Sequence, residues 1–163
     1  PYELLVYAGT HKDIYDMAIE MAENEHIYAA DAVAENAKFR VIYHPQIVDA
    51  NELLIKYVFP WADGFISKPS GDMAYDVAAS GSFLLTLQEW GEWEHNVREV
   101  FEQQGIARKA DVEQIVPQLE ALTQAQGKSQ SWAEHAMNNA LTIDKLFLNG
   151  AKNILAAYKK IAG

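Results

Sequence analysis

The chain has 163 residues, a formal net charge of −10 and no cysteine, and half of its residues are hydrophobic. This length is enough for one domain with a sizeable core, and the lack of cysteine excludes disulfides and thiolate chemistry. The acidic balance argues against non-specific binding to nucleic acid or to anionic lipid, both of which need a basic surface. The lack of cysteine fits a cytoplasmic protein, which we expect. No apolar run approaches the roughly 20 residues of a transmembrane helix.

The first part of the chain alternates apolar runs with amphipathic segments. Short apolar runs predict strands over 3–8, 26–30 and 39–43. The apolar spacing predicts helices over 13–23 and 51–61. The residues expected on their buried faces are Ile14, Met17, Ala18 and Met21 in the first helix, and Leu53, Leu54, Tyr57 and Val58 in the second.

The second part continues the same alternation. Strands are predicted over 64–67 and 83–87, with a helix after Ser70 between them. Further helices are predicted over 92–104, ended by Gly105, and over 111–122, N-capped by Asp111 or the residue before it.

A polar linker over 123–131 is followed by a helical segment over 132–162, broken near Asn149 and Gly150. Strands that alternate with helices of this length are typical of an α/β fold. We therefore predict a Rossmann-like open parallel sheet with helices on both faces. We assign residues 1–126 to this domain and residues 127–163 to the linker and a C-terminal helical tail.

Two small-residue loops follow predicted strands, Gly9–Thr10 and Ser70–Gly71. In an open parallel sheet, ligands bind beyond the carboxyl ends of the strands, where glycine lets the backbone approach an anion. The free N–H groups of the following helix then point at that anion. Lys68, Lys12 and His11 would add positive charge, so these loops are candidate phosphate sites.

If Ser70 caps the helix that follows it, Asp76 lies about 9 Å along the axis from that cap, at roughly 1.5 Å per residue. A carboxylate there suits the vicinal diol of a ribose. The same pattern also fits ordinary helix capping, with Asp72 compensating the helix dipole and Asp76 on a solvated face. The histidines show no metal-ligand spacing, and Trp90, Trp93 and Trp132 are interpreted as packing residues.

The segment "ADGFISKPSGDMAYDVAASG" resembles the donor-binding signature of GT-B glycosyltransferases. Its nearest likeness is to the enzymes that make undecaprenyl-linked N-acetylglucosamine or diacylglycerol glycolipids. Ala62–Asp63 opens the pattern, and Lys68–Pro69 and Ser70–Gly71 follow. Asp76 stands at the place of the family's ribose-binding Glu, and Gly81 closes the pattern.

Other segments extend the resemblance to residues 3–122. In "GEWEHNVREVFEQQGIA", Gly91, Glu92, Asn96 and Gly105 match the segment that lies beside the donor sugar and phosphates in that family. "YAGTHKD" resembles the small-residue loop after the domain's first strand. "YHPQIVDANELLIKYVFPWAD" resembles the stretch that contacts the base and its following helix.

The resemblance implies a nucleotide-sugar donor, with a UDP-sugar expected, bound without a metal or other cofactor. It assigns the phosphates to the two small-residue loops, the ribose to Asp76, the base to Gln46–Ile47 and the sugar to Glu92 and Asn96. The full set of implied substrate-binding residues is Gly9, Thr10, His11, Gln46, Ile47, Lys68, Ser70, Gly71, Met73, Asp76, Gly91, Glu92 and Asn96. No residue of this chain is assigned a catalytic role.

GT-B enzymes react in the cleft between two such domains, with inversion at the anomeric carbon in the enzymes named above. The acceptor domain normally comes first, and 163 residues leave no room for it. We therefore expect a fragment or a separate donor-binding subunit, inactive alone, whose partner is an acceptor domain or subunit. That partner would hold it at the membrane periphery, and the tail would offer a contact for a homodimer.

Two alternatives stay open. One is a non-catalytic flavodoxin-like binding or regulatory domain with a degenerate nucleotide pocket. It is favoured by Asp72, a negative charge where an anion would bind, and by Met73, which stands where the family has Thr. The other is a nucleotide-sugar epimerase, which shares the fold.

Overall fold

The structure is a computed structural model, which describes residues 2–24, 29–30, 38–125, 127, 129–143 and 149–162. The chain divides into two compact units, an N-terminal unit Pro1–Trp61 and a C-terminal unit Ala62–Gly163. Most of the strand predicted over 26–30 lies outside the described residues, as does the part of the helical tail over 144–148.

The N-terminal unit is built on parallel strands. Its elements are β1 (Leu4–Gly9), α1 (Lys12–Asn24), β2 (Ala29–Ala30), β3 (Phe39–Tyr43) and α2 (Ile47–Leu53), which continues into a π-helix over Leu54–Val58. The strands lie in the order β1, β3, β2 and pair in parallel.

Helix α1 packs on this sheet with a face different from the predicted one. Ala18 and Ala22 are buried beside Phe39 and Val41 of β3. Met17 and Met21 are exposed, so their predicted burial is wrong. The packed stripe runs through Ile14, Tyr15, Ala18, Ile19 and Ala22, because the i, i+4 and i+8 series that starts at Ile14 matches the helical repeat as well as the predicted spacing does.

The second helix of this unit begins earlier and ends earlier than predicted. It starts at Ile47 rather than 51, and its π-helical end stops at Val58. The predicted inward side chains of Leu54 and Val58 are buried. A π-turn shifts the residues that follow around the helix axis, which a regular 3.6-residue pattern does not predict.

The C-terminal unit contains the second parallel sheet. Its elements are β4 (Gly64–Ser67), α3 (Gly71–Ser80), β5 (Phe83–Thr86), α4 (Glu92–Gln103), β6 (Ala107–Lys109), α5 (Ile115–Thr123), α6 (Trp132–Thr142) and α7 (Gly150–Ala162). The strands lie in the order β4, β5, β6, and both pairings are parallel.

The central strand β5 is buried along its whole length. Phe83 and Leu85 pack with Leu122 of α5 and with Ala133 and Ala136 of α6. Helix α6 lies within the segment that we assigned to the tail, yet it covers the core of this unit. Alternate residues of β5 point to opposite faces, so its complete burial fits a strand covered on both sides.

Strand β6 and the start of α5 differ from the prediction. The helix begins at Ile115 rather than Asp111, and Asp111 instead accepts a hydrogen bond from the Gln114 N–H at 3.2 Å. Pro117 explains the difference, because proline has no N–H and is tolerated only in the first helical turn. Ala107–Lys109 form β6 beside β5, a strand that was not predicted.

The predicted α/β class and its parallel strands are confirmed. The described strands form two sheets, one in each unit, and a single Rossmann-like open sheet stays a prediction. No helix among the described residues is long and apolar enough to cross a membrane.

Candidate functional site

The carboxyl ends of β4 and β5 bring several candidate residues together in the C-terminal unit. The Leu87 N–H donates to the Ser67 carbonyl at 2.9 Å, which holds the two strand ends side by side. Lys68 follows β4, and its Nζ lies 2.9 Å from the centroid of the Trp90 ring, beyond the end of β5. This edge is where parallel sheets bind ligands.

Ser70 caps α3 as predicted. Its hydroxyl accepts a hydrogen bond from the Met73 N–H at 3.3 Å, and the helix starts at Gly71. The N–H groups of Gly71 and Asp72 belong to the first turn and have no acceptor within the helix. The start of α3 therefore presents donors with the positive end of the helix dipole, although the Asp72 carboxylate lies in the same turn.

Two tryptophans predicted as packing residues lie exposed at this edge, and that prediction is wrong. Trp90 is 86% exposed and Trp93 is 71% exposed. A Cβ placed on Gly71 would lie 3.6 Å from Cζ2 of Trp93, so the indole lies against the start of α3. Trp132, by contrast, packs edge-on against Phe83 in the core, as predicted. Trp93 shares the i, i+4, i+8 spacing of the buried Val97 and Phe101, so the helical repeat alone predicts its burial, and Trp90 lies before α4 begins.

Asp76 lies on the exposed side of α3, one turn beyond Asp72. The pKa of Asp76 is raised, first by partial burial of its carboxyl and then by the Asp72 carboxylate. The ionised form of Asp76 is therefore mildly disfavoured, and a hydrogen-bond donor such as a ribose hydroxyl would stabilise it.

Gly91, Glu92 and Asn96 lie at the start of α4 and are exposed. Gly91 is the N-cap in extended conformation, and the Glu94 carboxylate accepts a hydrogen bond from the Trp90 N–H at 2.7 Å. This contact fixes the backbone from which Trp90 and Trp93 project.

A partly buried ion-pair network behind this edge anchors α4 and was not predicted. The Glu89 carboxylate lies 3.2 Å from His95 Nδ1 and 3.4 Å from an Arg98 Nη, and Arg98 also bonds Glu102 at 2.6 Å. A hydrogen bond from its own backbone N–H, the His95 ring and the Arg98 and Lys109 cations lower the pKa of Glu89 from 4.5 to about 2. The network forms only when the loop folds back, which helical spacing alone does not reveal.

The remaining candidates lie in the N-terminal unit. Gly9 ends β1 at an irregularity in the pairing with β3 and has a φ of 58°, a left-handed conformation that favours glycine. Its carbonyl accepts from the His44 N–H at 3.0 Å, and the His11 N–H donates to the Ala8 carbonyl at 2.9 Å. Thr10 and His11 are exposed. Gly9 and the His11 N–H therefore have structural roles in this loop that do not depend on a phosphate.

Gln46 and Ile47 begin α2 and are exposed. The Gln46 N–H donates to His44 Nδ1 at 3.2 Å, and His44 lies 3.3 Å from the Asp49 carboxylate. A shallow depression of about 260 Å³ adjoins them, lined by His44, Asp49, Glu52, Leu53, Lys56 and Tyr57. Since Gly9 bonds His44, the predicted phosphate loop and base-binding stretch are neighbours within this unit.

Within the ranges that the structure describes, no group of three or more His, Asp or Glu side chains is arranged to hold a metal ion. The chemistry available in the C-terminal unit is recognition of an anion by Lys68 and the start of α3, beside two exposed aromatic rings. No protein family, curated protein or solved structure matches the chain. The likeness to GT-B glycosyltransferases therefore stays a prediction from the sequence.

Proposed function

We propose that this chain is the nucleotide-sugar-binding domain of a GT-B glycosyltransferase, with a UDP-sugar as its donor. The acceptor domain would be supplied by another segment or by a separate subunit, and this chain would be inactive alone. The observation that carries the proposal is the carboxyl edge of β4 and β5, where Lys68 and the Ser70-capped start of α3 meet Trp90 and Trp93.

The parts of this edge suit the parts of the donor. A diphosphate fits the free N–H groups of Gly71 and Asp72 and the Lys68 ammonium. An exposed indole such as Trp93 offers a flat apolar surface to a base or to the face of a sugar ring. Asp76, about 9 Å along the helix from its cap at roughly 1.5 Å per residue, suits the ribose hydroxyls.

Two observations favour the second candidate, a non-catalytic flavodoxin-like binding or regulatory domain. The Asp72 carboxylate lies in the first turn of α3, where it repels an incoming phosphate. Lys68 is already held over the Trp90 ring rather than directed at a free anion site. Either function fits a cytoplasmic location, which we propose together with a peripheral place at the membrane through the acceptor partner.

Titration calorimetry on the whole chain tests the proposal. UDP and UDP-sugars are compared with ADP, GDP and inorganic pyrophosphate at up to millimolar concentration. The glycosyltransferase proposal expects saturable heat that is strongest for the uridine compounds. If no nucleotide gives heat of binding, the regulatory alternative is supported. Equal binding of pyrophosphate and UDP would mean that the site recognises anions alone.

A further inference from the structure

Helix α7 differs in charge from the rest of the chain. Over Gly150–Ala162 it carries Lys152, Lys159 and Lys160 and no acidic residue. Removing these lysines from the formal net charge of −10 leaves −13 for the remainder. The helix is thus a local basic element on a strongly acidic protein, and all three lysines are exposed.

The same helix leaves an apolar face uncovered. Ile154, Leu155, Tyr158 and Ile161 are between 61% and 87% exposed. Their spacing places them along one side of the helix, while the three lysines fall on the flanks and the opposite side. Large apolar side chains that stay in water in such a row indicate a surface that binds something.

We propose that α7 binds the surface of an anionic membrane, lying in the plane of the headgroups. An apolar face with flanking lysines is the pattern of interfacial helices, whose lysine side chains extend toward the headgroup phosphates while the apolar side chains enter the acyl boundary. Tyr158 is amphipathic and suits this depth. The proposal does not depend on nucleotide-sugar binding.

Charge favours a membrane over a second copy of the chain as the occupant. A symmetric dimer formed through α7 would offer the lysines no opposite charge, because α7 carries no acidic residue. An anionic lipid surface instead attracts each lysine, strengthening binding about fivefold per residue. The acidic remainder of the chain would be repelled and would project away from the bilayer.

Flotation of the whole chain with lipid vesicles tests the proposal. Vesicles of phosphatidylcholine alone are compared with vesicles containing about 40% phosphatidylglycerol, in low and high salt. We expect binding to the anionic vesicles that is at least tenfold stronger than to the neutral ones and that weakens in high salt.

Two variants and one matched control localise the effect. Lys152→Gln with Lys159→Gln and Lys160→Gln should lower anionic binding about tenfold or more. Ile154→Ser with Leu155→Ser should lower it with no change of charge. The control replaces Lys12, Lys38 and Lys56 by Gln, which makes the same charge change at exposed lysines of the N-terminal unit, and it should bind as the parent does.

Three results would overturn the proposal. The first is equal or no binding to both kinds of vesicle. The second is an equal loss in the control, which would mean that only overall charge matters. The third is a dimer in light scattering that Ile154→Ser with Leu155→Ser dissolves, without vesicle binding, which would assign the face to a second copy. Circular dichroism of each variant checks that the fold is kept. Because the replaced side chains are exposed, the substitutions leave no cavity in the core.

Discussion

Asp76 and Asp72 lie one turn apart on α3, and the proposed function gives them opposite effects. Asp76→Asn removes a charged acceptor from the ribose, and we expect UDP binding to weaken by roughly 1.5–3 kcal/mol. Asp72→Asn removes a charge that repels the phosphates, and we expect binding to strengthen by about two- to fivefold, as for a surface charge contact. Calorimetry with UDP measures both.

Each variant is a control for the other, because both remove one negative charge from the same helix. If both variants strengthen UDP binding, general electrostatics explains the effect and Asp76 has no special role. A parent chain that binds 2′-deoxy-UDP as tightly as UDP would also contradict a ribose contact by Asp76.

Glu89 gives a pH dependence with a definite sign. Its pKa is lowered from 4.5 to about 2 in the folded chain, so it contributes stability above pH 4.5 and loses that contribution as the pH falls toward 2. We expect Glu89→Gln to lower the urea midpoint at pH 7, with the difference from the parent shrinking below pH 4.5. A constant difference from pH 7 to 3 would contradict this, and Glu113→Gln, at an exposed residue, is the matched control.

Gly64 has no room for a side chain. A Cβ at this position would collide with the ring of Phe83, which is itself held edge-on by Trp132. We expect Gly64→Ala to destabilise the chain by about 1–3 kcal/mol, the usual cost of overpacking. Gly150→Ala is the control, because a Cβ there meets open space. Equal unfolding midpoints for the two variants would show that Phe83 moves aside.

At the scale of residues, capping chemistry was predictable and tertiary contacts were not. Ser70 caps α3, and Gly81 and Gly105 have the positive φ values expected of residues just beyond a helix. These roles depend on neighbours in sequence. The exposure of Trp90 and Trp93 depends on where a strand end and a loop meet, which no local pattern contains.

At the scale of elements, α6 belongs to the core rather than to a detachable tail. Ser131 and Glu134 form a reciprocal capping box at its start, and Ala133 and Ala136 are buried against β5. We expect Ser131→Ala to lower stability by about 1 kcal/mol. A shift of the unfolding midpoint indistinguishable from zero would mean that the cap is not needed once α6 is packed.

Truncation separates α6 from α7. A chain ending at Ile143 keeps α6 and should unfold cooperatively, because α7 leaves its apolar face exposed. A chain ending at Gln124 loses α6, exposes Phe83 and Leu85, and should bind a dye for apolar surface or fail to fold. Similar cooperative unfolding of both chains would contradict this division.

Element types were predicted better than element ends. The strands over 39–43 and 64–67 coincide with their predictions, because short apolar runs bounded by turn residues have few other solutions. The start of α5 was displaced by Pro117, and the end of the helix that begins at Ile47 was displaced by its π-turn. In both cases a single local event overrode a regular repeat.

At the scale of the whole molecule, the alternation of strands and helices indicated the parallel α/β class, since parallel strands need crossover helices. The same alternation does not say how many sheets the strands form, because that depends on which strand edges pair. The division into Pro1–Trp61 and Ala62–Gly163 is for this reason not visible in the spacing. The net charge argued against partners that need a basic surface, but it did not identify a ligand.

The most direct test of the central claim is a titration of the ¹⁵N-labelled chain with UDP, followed by amide chemical shifts. We expect saturable shifts at the N–H groups of Gly71 and Asp72 and at the indole N–H of Trp93, with little change at Gly127 in the segment between α5 and α6. Shifts confined to other residues, or none at millimolar UDP, would contradict nucleotide recognition at the start of α3.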